Sequence, residues 1–334
     1  MSREETSIKA KVAVAGAGYW GKNLVRNFHA LGALGAVCDS NSKTQAAFRE
    51  QYPQVPVYPS LEEAFTADPS INATALATPA QTHYALVEQC LAAGKHVFVE
   101  KPLCLDAADG ERLVALARRA GLTLMVGHLL QYHPAARKLK EMISAGDLGR
   151  LQYIYSNRLN LGKIRTEENI LWSFAPHDIS LILAYAGQAP TSVAAFGSHF
   201  LNKSVADVTV SALTFPSGVS AHLFVSWLHP FKEQKLVVVG DAGMAVFNDA
   251  SAENKLLFYP HSVKWKDGIP TPDKKDAAPI AHDTLEPLRE ECAHFLRCVE
   301  TGETPVTDGE EGLRVLRVLA ACQKSMETGG AVVT

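Results

Sequence analysis

The stretch Lys11–Asn23, KVAVAGAGYWGKN, decides how the chain is read. Val12, Val14 and Ala15 make a short apolar run of strand character, which stops at Gly16-Ala17-Gly18-Tyr19-Trp20-Gly21. Beyond the turn, Leu24, Val25 and Phe28 recur at helical spacing. Strand, glycine turn and helix in that order form the opening half of a dinucleotide-binding βαβ unit. In such a turn Gly16 permits the tight bend, Gly18 lets the backbone approach a pyrophosphate and Gly21 lets the helix pack against the strand. Tyr19 and Trp20 complete the turn and are read with it as cofactor-lining positions. The helix N-terminus offers free N–H groups and partial positive charge to the phosphates. A second β run, Leu34–Cys38, ends in Asp39, 23 residues beyond Gly16. An acidic side chain there receives the ribose hydroxyls of NAD. A 2′-phosphate would meet like charge, and Ser40 and Asn41 supply no arginine to offset it, so NAD is expected over NADP. The competing reading is a structural turn with Asp39 capping the next helix.

The 334 residues suffice for two domains, each with its own core. With 32 Lys and Arg against 35 Asp and Glu, the net charge of −3 and the lack of a basic block argue against nucleic-acid binding. No apolar run approaches the roughly 20 residues of a membrane span. The amino terminus, MSREETSIKAK, is polar and lacks the apolar core of a signal peptide, so a cytoplasmic protein is expected. The six cysteines (Cys38, Cys90, Cys104, Cys292, Cys298, Cys322) form no CxxC pair and read as reduced thiols, mostly core, with no metal or disulfide framework.

Strands and helices alternate through the first third. A short β run at Pro56–Tyr58 precedes a helix start capped by Ser60, and Ile71–Ala77 is a buried-strand candidate ending at Thr78-Pro79. A helix over Thr82–Ala93 stops at Gly94, then a strand over His96–Val99 leads to Glu100-Lys101-Pro102. Another helix over Asp106–Ala120 and a strand over Leu122–Val126 follow. Repeated βα units predict a Rossmann-type doubly wound parallel sheet, over residues 1–127. After Gly127 a helix over Ala135–Ile143 gives way to long alternating segments: Leu151–Asn160, Val193–Phe196, Val208–Phe215, Val219–Trp227, Leu236–Val239 and Met244–Phe247. Residues 128–334 therefore read as an α+β domain on a large, mostly antiparallel open sheet, one face covered by its helices and the other by a subunit partner. The run His261–Ile280, rich in Lys, Asp and Pro, reads as a surface loop, and two closing helices follow over Thr284–Glu300 and Gly309–Met326.

Oxidation of a sugar alcohol needs a base for the hydroxyl proton and a group to stabilise the developing oxyanion. In an α/β sheet these gather at the carboxyl ends of the strands. Thr78-Pro79, Glu100-Lys101-Pro102 and Gly127-His128 fall there. Lys101 follows a buried strand directly, where a cationic amine beside the cofactor would hold a substrate hydroxyl; the alternative is a lysine paired with Glu100. His177, within WSFAPHDI at Trp172–Ile179, stands at an apparent helix start, where the ring would be neutral and able to accept a proton. The alternative is a capping or core histidine, the reading also given to His83, His128 and His133, although His83 is in addition a candidate to line the nucleotide cleft. The polar run Asn157, Arg158, Asn160, Lys163, Arg165 and Asn169 is either a solvated sheet face or a site for an anionic sugar, with Asn202 and Lys203 on the same rim.

Taken together, AGAGYWG at Ala15–Gly21, TPAQTH…AGKHVFVEKPL within Thr78–Leu103, APHDIS at Ala175–Ser180 and the carboxy-terminal TPVTDGEEGLRVLRVL resemble the Gfo/Idh/MocA oxidoreductases over nearly the whole chain. The resemblance implies NAD as cofactor, Lys101 and His177 as the catalytic pair, and a dimer or tetramer built through the second domain's open sheet. Many members carry Asp four residues before the histidine; Ser173 stands there, so a relay through that Asp is unavailable. The longer phrase SNRLNLGKIRTEENILWSFAPHDIS is similar to family members of surface-polysaccharide and lipid A synthesis. Those oxidise the 3-hydroxyl of UDP-N-acetylglucosamine, or of its uronate, ahead of a PLP-dependent aminotransferase; a dehydrogenase of a free sugar or inositol and a non-catalytic NAD-binding sensor are the alternatives. Arg158, Lys163, Arg165, Asn169 and Trp172 become nucleotide-sugar contacts on that resemblance.

Overall fold

A computed structural model describes residues 9–334, so the polar amino-terminal residues 1–8 lie outside the described residues. The chain divides into two compact units, the first running to Leu129 and including Glu286–Leu316, the second comprising Leu130–Leu285 and Arg317–Thr334. These are not the consecutive spans 1–127 and 128–334 suggested by the change in sequence grammar.

The first unit runs β1 (Val12–Ala15), α1 (Gly21–Ala30), β2 (Leu34–Cys38), α2 (Ser42–Gln51), β3 (Val57–Tyr58), α3 (Leu61–Ala67), β4 (Ala73–Leu76), α4 (His83–Ala92), β5 (His96–Glu100), α5 (Ala107–Ala120) and β6 (Leu124–Gly127). The six strands form one parallel sheet in the order β3-β2-β1-β4-β5-β6. Its central strands β1 and β4 are buried at every residue, as a sheet covered on both faces requires. Strand order reverses between β1 and β4, which opens a ligand crevice at the carboxyl ends. Register sets Ala15 beside Cys38 and Leu76, Leu76 beside Val99, and Glu100 beside Gly127, so the residues after each strand emerge in one row.

In the second unit come α6 (Pro134–Ala145), β7 (Leu151–Leu159), α7 (Ile170–Ala186), β8 (Ser192–Ser198), β9 (Val208–Thr214), β10 (Ser220–Ser226), β11 (Glu233–Gly240), β12 (Met244–Asn248), β13 (Leu256–Tyr259), β14 (Ser262–Lys266), β15 (Ile269–Asp273) and β16 (Ala278–Pro279). Eight of these strands make a sheet ordered β16-β13-β12-β11-β7-β10-β9-β8, antiparallel except where β10 lies parallel to β7. α7 packs on β7, β9 and β10, and α6 on β12 and β13. On the sheet's other face Tyr153, Tyr155 and His222 stack, the last two with centroids 5.2 Å apart and rings 2° from parallel. The segment His261–Ile280 is not a plain loop. β14 and β15 pair as a hairpin, because Asp267 and Gly268 both adopt positive φ (50° and 78°), the turn that Asp-Gly favours.

The closing helices are α8 (Pro287–Thr301) and α9 (Gly309–Glu327). The return of Glu286–Leu316 to the first unit has a clear packing cause. Phe295 sits edge-on between Phe28 and Phe98, at 6.3 and 5.8 Å, and the Val126 N–H donates to the Thr307 carbonyl. All six cysteines are free and buried. No helix among the described residues is long and apolar enough to cross a membrane.

Burial in this core also strands a carboxyl group. Glu291 of α8 is fully buried and neither side-chain oxygen has a hydrogen-bond partner among the described residues. Burial first, then the Glu100 and Glu311 carboxylates, hold its pKa well above the ordinary value. The folded side chain stays protonated while the unfolded one ionises at about pH 4.3. Its contribution to stability is therefore fully present below the unfolded pKa and is lost as pH rises toward the folded value. Glu291→Gln is expected to raise the melting temperature, by a margin that widens from mildly acidic to mildly alkaline buffer. An equal gain at every pH would contradict this.

Candidate active site

Gly16 has φ +81°, and a Cβ there would lie 2.8 Å from the Ala77 carbonyl group and the Thr78 nitrogen. A Cβ on Gly21 would sit 1.9 Å from the Gly16 carbonyl oxygen, whereas one on Gly18 would meet nothing within 4 Å. Gly16 and Gly21 thus close the turn, and Gly18 leaves open backbone beside it. α1 begins with no side-chain cap, its Lys22 and Asn23 N–H groups donating to the Gly18 and Trp20 carbonyls at 3.3 and 2.9 Å, while α2, α3 and α5 are capped by Asn41, Ser60 and Asp106. This cradle fits a dinucleotide pyrophosphate.

Asp39 does not cap α2. Its Oδ2 accepts from the Ala17 N–H at 2.9 Å and its Oδ1 from the Asn41 N–H at 2.8 Å, tying the end of β2 to the glycine turn. A carboxylate has further lone pairs with which to accept ribose hydroxyls. Tyr19 is 88% exposed, with the Lys22 ammonium 5.6 Å from its ring centroid, and the Trp20 Nε1–H donates to Glu100. Gly18→Ala is expected to keep the melting temperature of the parent yet weaken NAD about tenfold or more, since only the approach of the pyrophosphate is obstructed. Gly21→Ala is expected to lower both. Calorimetric titration and thermal melts separate the two cases.

The next two loops are joined by one ring. His83 is buried, with Nδ1 2.7 Å from the Pro102 carbonyl and Nε2 2.9 Å from the Thr78 carbonyl. Burial lowers its pKa, although both carbonyls favour the cation. His83 therefore links Thr78-Pro79 to the loop after β5, which includes a cis Lys101-Pro102 bond. Burial raises the Glu100 pKa, opposed by the Trp20 indole, by the Lys101 charge and by the Lys101 backbone N–H, which donates to Oε2 at 3.3 Å. The half-buried Lys101 stands at the carboxyl end of β5, in the row with Gly16, Asp39 and Thr78.

In the second unit, α7 begins seven residues before His177, at Ile170, with the Asn169 side chain accepting from the Trp172 N–H at 3.2 Å. Pro176 lies inside the helix and is not its first residue. His177 is therefore a helix-interior residue, and a dipole effect confined to the first turn does not reach it. Asp178 turns to β7: its carboxylate accepts from Arg158 Nε at 2.5 Å and Nη2 at 3.3 Å, and from the Ser156 hydroxyl at 2.6 Å. Burial opposes the Arg158 charge, but Asp178 outweighs it and the pKa is raised.

The side chains of the polar run, read as a solvated face or an anionic-sugar site, meet different partners. Arg158 is buried against Asp178, and Asn157 donates to Glu233 at 2.8 Å. Asn169 and Trp172 both donate to Gln323 Oε1, at 2.8 and 3.3 Å. Arg165 pairs with Glu168 at 3.1 Å, whereas Lys163 is exposed and Asn160 half-exposed. Ser156, Gln323 and the role of Asp178 carried no signal in the sequence, because each depends on a partner from a distant segment. Elsewhere in the first unit, His294, Cys298 and Glu303 bring ligand-type atoms within 4.8 Å of one another, but Arg297 Nε lies 2.6 Å from the same Glu303 oxygen.

Comparison with known proteins follows this division. Residues 10–128 match the oxidoreductase family with NAD-binding Rossmann fold, and residues 136–246 match the GFO/IDH/MocA C-terminal domain. The chain is 26% identical over 321 residues to the UDP-N-acetylglucosamine 3-dehydrogenase of Acidithiobacillus ferrooxidans, covering 96% of this chain and 98% of that one. A solved structure of that enzyme superposes with a TM-score of 0.84 at 25% identity, over 95% and 97% of the two chains. Myo-inositol 2-dehydrogenase of Thermotoga maritima is 27% identical over 78% of this chain and 79% of its own. The fold is shared with the WlbA dehydrogenase of Bordetella pertussis in complex with NADH and UDP-GlcNAcA, at a TM-score of 0.78 and 22% identity over 97% and 98% of the chains.

Proposed function

The chain belongs to the Gfo/Idh/MocA oxidoreductase family, an NAD-dependent dehydrogenase acting on a CH–OH group, and from that premise we propose that it oxidises the 3-hydroxyl of UDP-N-acetylglucosamine to the 3-keto sugar. The observation that carries this reading is the end-to-end likeness to the Acidithiobacillus enzyme, which spans both domains. When bound, NAD supplies the acceptor for the hydride of the C3–H bond. Gly16, Gly18, Gly21 and Asp39 would hold its pyrophosphate and ribose, with Thr78, Pro79, His83 and Glu100 shaping the adjoining strand ends. His177 would take the hydroxyl proton at an imidazole nitrogen, and the Lys101 ammonium would steady the oxygen as negative charge develops.

The product ketone suits a PLP-dependent aminotransferase that makes a 3-amino sugar for lipid A or a surface polysaccharide, in the cytoplasm. The half-open sheet face around Tyr153, Tyr155 and His222 would form the dimer or tetramer contact. A second reading, a dehydrogenase of inositol or a free sugar, is supported by the likeness to the Thermotoga enzyme. The deciding experiment follows NADH absorbance with UDP-N-acetylglucosamine, its uronate, myo-inositol and glucose, with an aminotransferase present to remove ketone. Turnover of the neutral nucleotide-sugar is expected. Turnover of inositol or glucose alone would overturn the proposal.

A further inference from the structure

Three loops of the second unit leave its sheet from one edge. Register sets Ser198 beside Val208, Val208 beside Ser226, Ser226 beside Leu159 and Leu159 beside Glu233. The segments 160–169, 199–207 and 227–232 therefore emerge in a row. They are also cross-linked. The buried Asp207 accepts from the Trp227 indole at 2.6 Å and from the Phe200 and Leu201 N–H groups at 2.7 and 2.8 Å. The Asn160 N–H donates to the Ser226 carbonyl and the Ile170 N–H to the Ala206 carbonyl, each at 3.0 Å. This edge is built, not loose.

Its composition is unusual for a solvated rim. Lys163, Lys203 and Lys232 are exposed and in no ion pair among the described residues, while the exposed Glu167 and the half-buried Glu168 both lie against Arg165. Phe231, next to Lys232 in the third loop, is 58% exposed, its ring held 4.5 Å from that of His229 at 76°. Uncompensated ammonium groups on the same row of loops as a held, exposed aromatic ring suit a ligand with two or more negative charges and a flat ring. α7 starts from the same edge, which puts His177 about 10 Å farther along the helix axis at 1.5 Å per residue. That is a gap a ribosyl diphosphate can bridge.

Resting on the nucleotide-sugar reading above, we infer that this edge binds the nucleoside diphosphate of the substrate, the base stacked on Phe231 and the phosphates among Lys163, Lys203 and Lys232. The test titrates UDP into the full chain by calorimetry, beside steady-state assays with UDP-N-acetylglucosamine. Phe231→Ala is expected to weaken UDP about tenfold, the scale of one lost base–aromatic stack, and Phe231→Trp to retain it. Lys203→Ala combined with Lys232→Ala is expected to weaken UDP and flatten its salt dependence. NAD affinity, measured in parallel, reports whether any variant has damaged the fold. UDP binding unaltered by these changes would overturn the inference while leaving a nucleotide-sugar substrate standing. No UDP binding in the parent, with turnover of free sugars only, would overturn both. Binding of UDP that depends on Phe231, without oxidation of UDP-N-acetylglucosamine, would uphold the edge and reject that sugar.

Discussion

Lys101→Ala is expected to lower turnover by about 10²- to 10⁴-fold, the range of a lost proton-transfer or charge-stabilising group. NAD affinity should change far less. The expectation comes from the placement of the residue. β5 is buried, so its last residues gain little from a charge, yet Glu100 and Lys101 both occur there. Glu100 is engaged by the Trp20 indole of the glycine turn and by the backbone N–H of Lys101, which couples the lysine's position to the cofactor turn. His83 secures the residue that follows, through the Pro102 carbonyl. A backbone held at the residue and at its neighbour suits a side chain with a fixed task. On the proposed reading, His177→Ala should cost a similar factor. NADH absorbance with saturating NAD measures both. Retention of more than about half the parent rate in Lys101→Ala would remove the lysine from the chemistry.

The second large effect is on stability. Arg158→Ala would leave the Asp178 carboxylate buried beside Ser156 without its cation, a change that costs about 3–5 kcal/mol. For a domain of this size the melting temperature should fall by on the order of 10 °C. Replacing both partners with apolar residues, Arg158→Met with Asp178→Leu, should recover much of the loss, because no charge is then stranded. Activity should fall in the single variant as well, since Asp178 adjoins His177 and fixes that turn of α7 against β7. The competing role for Arg158, as a contact to the substrate anion, makes the opposite pattern: a raised KM with an unmoved melting curve. Thermal melts beside kinetics distinguish the two.

The parallel sheet and its row of strand ends were legible because each depends on residues close together in the chain. The Gly16 to Gly21 turn, Asp39 at the end of β2 and the break after β5 are all local patterns of period and turn chemistry. Pro176 misled for a related reason. Proline commonly opens a helix, and the pattern from Ile179 onward supported a start there. The Asn169 cap and the packing of α7 on three strands carry the helix through the proline instead. The hairpin of β14 and β15 was hidden by its charge and prolines, and revealed only by the pairing itself.

By itself, then, the sequence determined the architecture: a doubly wound parallel sheet with a glycine turn, an acidic residue at the end of β2, and a second, mainly antiparallel sheet. Periodicity and turn preference act over a few residues, so they can be read without knowing what packs where. Only the tertiary structure decided that Arg158 faces Asp178, that Glu291 has no hydrogen-bond partner among the described residues, that Glu286–Leu316 completes the first unit, and that the loops bearing Phe231 and three exposed lysines leave the same end of the second sheet. A buried charge has no preferred partner until distant elements are brought face to face. The low-dielectric interior then makes that single pairing decisive.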